Sequence, residues 1–141
     1  MQSQAQRIHA TFARLASEGA DPGRIAEAAV TMWHDLGDAL SPIVGLSGVA
    51  ALYKRSLYLA RVSYPWLAAV HEGSAQPGDF SFLRTALTQQ TSSTAADAHV
   101  ALLQTFHNLL NSLIGESLTE RLLLPVYASL FNGDAVQDTS P

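Results

Sequence analysis

Apolar residues recur at three- and four-residue steps along most of the chain, and the two-residue alternation of a half-buried strand is missing. Residues 3–18 predict a first helix, with Ile8, Phe12 and Leu15 on one face and Gly19 closing it. Asp21-Pro22 then reads as an N-cap followed by proline in the first turn, where its missing N–H costs nothing. The stripe Ile25, Ala29, Met32, Leu36, Leu40 and Ile43 carries a second helix to about Val44. Pro42 removes a helical donor, so Ser41-Pro42 is expected to kink or restart it.

Gly45 is a candidate left-handed stop. Ser47 is expected to cap a third helix to about Ser63, and Pro65 ends that element, with one extra turn over 66–71. The connection 72–78 is rich in glycine, serine and proline. Asp79 caps a short fourth helix to about Gln90. Thr94 and Asp97 have the spacing of a capping box for a fifth helix, which runs to Ile114 and stops at Gly115. Ser117 and Glu120 make a second such box for a sixth helix to about Phe131. The domain is therefore expected over 1–131, with a disordered tail over 132–141.

One internal regularity shapes the fold expectation. At an offset of 70 residues Ala26 matches Ala96, Val30 matches Val100 and Leu40 matches Leu110, while Ile43-Val44-Gly45-x-Ser47 matches Leu113-Ile114-Gly115-x-Ser117. We expect an all-α bundle of five or six helices containing two related helix–Gly–helix units, each burying the other's stripe.

Composition narrows the function. At 141 residues the chain fits one domain. It has no cysteine, which removes disulfides, thiolate metal sites and cysteine nucleophiles. A net charge of -4 argues against a binder of phosphate backbones, so no nucleic-acid partner is expected. Charged residues make up 14% against 48% hydrophobic, where an ordinary soluble domain carries roughly 25% charged. So little charge suggests that some apolar surface meets a partner or a second copy, and we expect a homodimer. The N-terminus lacks the apolar core of a signal peptide. The longest apolar stretch, 122–131, falls short of the ~20 residues of a membrane span. A cytoplasmic location away from the membrane is expected.

The clearest local motif is His34-Asp35-Leu36-Gly37-Asp38-Ala39-Leu40-Ser41-Pro42-Ile43-Val44-Gly45. It resembles the phosphoacceptor box of sensor histidine kinases, in which a histidine and an acid precede leucine, leucine, isoleucine and glycine. Here these fall on His34, Asp35, Leu36, Leu40, Ile43 and Gly45; Gly37 and Ala39 depart from the box. The resemblance implies a phosphorelay role with His34 as phosphoacceptor, Asp35 as proton acceptor and Asp38 one turn away. The chemistry is sound, since an exposed imidazole near neutral pKa is nucleophilic and an adjacent carboxylate takes its proton. His34 lies off the apolar stripe, on a face with Glu27, Thr31, Asp38 and Ser41. The segment around His107 more faintly resembles that of sporulation-type phosphotransferases, with the ring at the edge of a buried face. No Gly-rich nucleotide loop accompanies either histidine.

Other chemistry is thin. The five histidines form no pair three or four apart, so no metal or cofactor is expected. Gly45-Leu46-Ser47-Gly48 lacks the spacing of a nucleophile elbow. Lys54, Arg55 and Arg61 with Tyr53, Tyr58, Tyr64 and Trp66 form a basic–aromatic patch of the composition found at protein-contact hot spots. The leading expectation is a non-enzymatic helical interaction or regulatory domain of a bacterial signalling or stress pathway. It works through that patch or through the apolar sixth helix. Phosphotransfer through His34, and a bundle enclosing a small apolar ligand, are the alternatives.

Overall fold

The computed structural model describes residues 4–73 and 76–126, and among them the chain is all-α. The helices are α1 (Gln4–Ser17), α2 (Pro22–Ala60), α3 (Leu67–Gly73), α4 (Ser81–Thr88), α5 (Ser92–Ile114) and α6 (116–126). The end expected for the sixth helix, the tail 132–141 and the side chains of Ile8 and Leu15 lie outside the described residues.

Asp21 is the N-cap of α2 and accepts a hydrogen bond from the Arg24 amide at 2.8 Å. The helical run ends at Ala60 and is interrupted at Gly45, whose φ of 80° and ψ of 160° are left-handed and non-helical. Gly45 thus divides α2 into limbs 22–44 and 46–60. The stop expected at Gly45 is there, and the further kink expected at Ser41-Pro42 is not. Pro42 is exposed in the last turn before the corner and keeps helical backbone angles despite the amide it lacks. The N-cap of α5 also differs from expectation. Thr91 fills it, its hydroxyl oxygen accepting from the Thr94 amide at 3.1 Å, so Thr94 and Asp97 sit inside the first turns. Ser47 and Ser117 likewise lie inside the helices that restart directly after each glycine. Ahead of α4 the Asp79 carboxylate accepts from the Ser81 amide and hydroxyl, at 3.1 and 2.6 Å. Phe80 occupies the cap position itself.

The 70-residue regularity is written into the packing. Gly115 has φ 89° and ψ 153°, the conformation of Gly45, and the N-caps Asp21 and Thr91 are also 70 apart. Burial along 21–56 repeats along 91–126 at nearly every position: Ile25 with Ala95, Trp33 with Leu103, Leu36 with Phe106, Leu40 with Leu110 and Tyr53 with Leu123 are all buried. The relation reaches further than the sequence suggests. α1 packs mainly on α5 and α4 packs on α2, so each half lays its short helix on the long helix of the other.

Direction follows from two contacts and from burial at the far ends. The Ser92 hydroxyl, at the start of α5, donates to the Ala20 carbonyl just before α2 at 2.6 Å. Midway along, the rings of Trp33 and Phe106 meet at 4.9 Å. Near the far ends Leu40 and Leu110 are both fully buried. The first limb of α2 and α5 therefore run side by side in the same direction, and the corners at Gly45 and Gly115 come to the same end of the molecule.

At the centre of the bundle Trp33, fully buried, has Tyr53, Phe106 and Phe80 around it at 4.9, 4.9 and 6.2 Å between ring centroids. Large aromatic side chains dominate core energetics, and the edge-to-face pairs with Tyr53 and Phe106 add about 0.5–1.5 kcal/mol each beyond area burial. Pro22–Ala60 is, by length and composition, long and apolar enough to cross a membrane. Its best 18-residue window has mean hydropathy 1.4, with 22% of that window buried. This revises the expectation that the longest apolar stretch is 122–131, and the helix is broken by Gly45.

Candidate functional site: a cleft at the first glycine corner

The corner at Gly45 folds the second limb of α2 back beside the first, and the segment 76–80 closes over both. Between them lies a cleft of about 100 Å³. Val49, Ala50, Tyr53 and Phe80 form its apolar walls above Trp33, and His34, Asp38 and Lys54 stand at its polar edge. The His34 ring is exposed and meets the Phe80 ring edge-on at 4.9 Å, which fixes the imidazole at the mouth. Asp38 follows one turn later on the same face. Lys54 reaches the cleft from the opposite limb, half-buried, without forming an ion pair with Asp38. The Trp33 indole N–H is buried with no hydrogen-bond partner among the described residues.

Space for the cleft is provided at Gly37, where an added Cβ would meet nothing within 4 Å. In the other half, 70 residues on, the same place is taken by His107, a half-buried imidazole. Burial lowers the His107 pKa, and the carboxylates of Glu120 and Glu116 beside it work against that shift. The two corners thus share a backbone but not a surface.

The structure brings together residues that the sequence had placed in two separate hypotheses. His34 and Asp38 from the phosphoacceptor motif share one cleft with Tyr53 and Lys54 from the basic–aromatic patch. Asp35 is half-buried on the neighbouring face. The rest of the patch lies elsewhere. Tyr53 is 4% exposed, its ring against Trp33 and Phe80. Arg55 and Arg61 both set their guanidinium groups over the exposed ring of Tyr58, at 5.4 and 4.1 Å, with His71 nearby at 5.8 Å. Tyr64 and Trp66 pair at 6.2 Å and pack partly buried against the core.

Sequence reasoning missed Gly37 and Phe80. A glycine in the middle of an amphipathic helix costs roughly 1 kcal/mol relative to alanine, which is the signal that marked Gly37. Phe80 carried none, because its role depends on the connection folding back over α2. His99 is fully buried, edge-on to Phe12 at 4.6 Å, and takes no part in the cleft. No cluster of three or more metal-ligating side chains occurs among the described residues. Comparison with protein-family models, with characterised proteins and with solved structures finds no match.

Proposed function

We propose that the protein is a non-enzymatic interaction and regulatory domain that engages a partner protein through the cleft at the first glycine corner. What supports this reading is one convergence: Asp38, Lys54 and His34 stand around an apolar recess, with the two opposite charges left unbridged. A recess of about 100 Å³ has the size of a single apolar side chain, and the charges at its edge suit the polar backbone or flanking groups of the segment that carries it. Low overall charge is in keeping with a protein whose work is contact.

The test uses a photo-crosslinking side chain placed at Ala50, inside the cleft, and at exposed Phe82, outside it. The Ala50 position is expected to give a discrete partner adduct in cells. Gly37→Trp, which fills the recess, removes it, and the Phe82 position does not give it. An identical adduct from both positions, or one indifferent to Gly37→Trp, defeats the reading.

A second reading attaches to His34 alone. Its ring is exposed, with Asp38 a turn away and the Lys54 ammonium on the same cleft, a setting suited to a phosphorylated imidazole. Under that reading, incubation with phosphorylated response-regulator receivers labels the wild-type chain and not His34→Gln. Absence of label from the wild type removes it.

A further inference from the structure

The two glycine corners emerge at the same end of the bundle, and each carries apolar side chains into solvent. Ile43 and Leu113 occupy matching positions on the last turns before Gly45 and Gly115, at 51% and 61% exposed. Leu46 and Leu118 follow the corners at 65% and 37%. Around them Pro42, Ser47, Ser112 and Ser117 are exposed and uncharged.

We propose that this apolar end is the interface of a homodimer, in which two copies meet end to end about a two-fold axis across the bundle. Area supports a second copy as the occupant. Four side chains so exposed present on the order of 400 Å² of apolar surface, the middle of a patch that needs ~800 Å² per partner, with the uncharged flank supplying the rest. Charge sets the pairing. The second corner is followed by Glu116 and Glu120, whereas the first has the uncharged Leu46 and Ala50 in those places. Setting the first corner of one copy on the second corner of the other keeps the two acidic corners apart. Internal duplication makes the geometry available, because the matching halves present two similar corners side by side and the contact is made twice by symmetry.

Sedimentation velocity of the full chain from about 1 to about 200 µM is expected to show a dimer, in support of the proposal. Ile43→Glu combined with Leu113→Glu is expected to leave helicity unchanged by circular dichroism and to weaken association at least 100-fold. Neither substituted residue lines the cleft, although Leu46 belongs to both surfaces, so the Ala50 adduct measured on the double variant tells loss of the dimer from loss of the partner. The absence of cysteine allows a direct check of geometry. Mixed Ile43→Cys and Leu113→Cys chains are expected to form a disulfide heterodimer under mild oxidation, whereas Val62→Cys, 78% exposed in the turn after α2, does not. The proposal is overturned by a wild type that stays monomeric at the top of the range. It is equally overturned by a double variant that still dimerises, by cross-linking through Val62→Cys alone, or by a monomer that uses this end to float with anionic phosphatidylglycerol vesicles.

Discussion

His99 is a titratable ring sealed in the core with neither nitrogen hydrogen-bonded, among the described residues. Phe12 and Trp33 face its edges at 4.6 and 6.5 Å, and the neighbours offer no charge to offset burial. Desolvation alone pushes its pKa down from 6.5 to about 3. In the unfolded chain the ring binds a proton near its ordinary value, so below that pH the unfolded state holds more protons than the folded one and stability is lost as the pH is lowered. At about pH 4.5 the ring is nearly fully protonated when unfolded and almost entirely neutral when folded. The difference removes about 2–3 kcal/mol of stability relative to about pH 7.5. Against a total of roughly 5–15 kcal/mol for a domain, that is a large share.

The perturbation that isolates this ring is His99→Phe, which keeps a planar side chain of similar size and has no polar atom to desolvate. Replacing an unsatisfied buried polar group by an apolar one of similar shape is neutral or stabilising. Urea unfolding of both proteins at about pH 7.5 and about pH 4.5 is the assay. His99→Phe is expected to match or exceed the wild type at the higher pH, and to gain about 2–3 kcal/mol on it at the lower. Carboxylates and His107 titrate in both proteins and cancel in the comparison. If the gap between the two proteins is the same at both pH values, the ring is not held neutral by burial and the reasoning fails.

The remaining expectations concern backbone and space. Gly45→Ala and Gly115→Ala each place a side chain at positive φ and should each cost about 1–2 kcal/mol in chemical denaturation; a neutral result at either would show that the corner relaxes freely. A Cβ on Gly73 would come within 2.6 Å of the Phe82 ring, so Gly73→Ala should lose about 1–3 kcal/mol, a loss that shrinks in a Phe82→Ala background. Thr91→Ala removes the cap of α5 and should cost about 1 kcal/mol, whereas Asp97→Ala should cost much less; equal costs would restore the capping box expected from sequence. Gly37→Ala adds a methyl to empty space in a helix and should stabilise the fold by about 0.5–1 kcal/mol in a thermal melt, with a loss of stability counting against an open cleft at that point.

What could be read from the chain was local in origin. Asp21, Gly45, Gly115 and the end of α5 at Ile114 follow from chemistry confined to a few neighbours: a carboxylate before a proline, or a glycine after a helical stripe. The misplaced cap of α5 came from the same reasoning, because Thr91 and Thr94 both precede an apolar run and Asp97 lends the second the look of a box. Pro42 misled for a related reason. The rule that proline breaks helices holds, but the break had a cheaper place three residues on, at a residue with no Cβ. The cleft was out of reach by any local argument. It exists because Phe80, in a connection rich in glycine and proline, lands on a helix more than 40 residues earlier.

Duplication explains why the halves are free to differ where they do. A long helix followed by a glycine corner cannot bury its stripe alone, and here each half is covered by its twin and by the twin's short helix. The shared positions, from Ile25 and Ala95 to Leu40 and Leu110, carry that mutual burial and leave little room for change. Divergence is tolerated where a side chain faces away from the seam, and it is there that the corners part company. The second half fills its corner with His107 beside Glu116 and Glu120, while the first keeps Gly37 and an opening. Retaining a helix-weakening glycine where alanine fits without contact has no structural benefit. Under the partner-binding reading, the stability given up at position 37 is the measure of what the open cleft contributes.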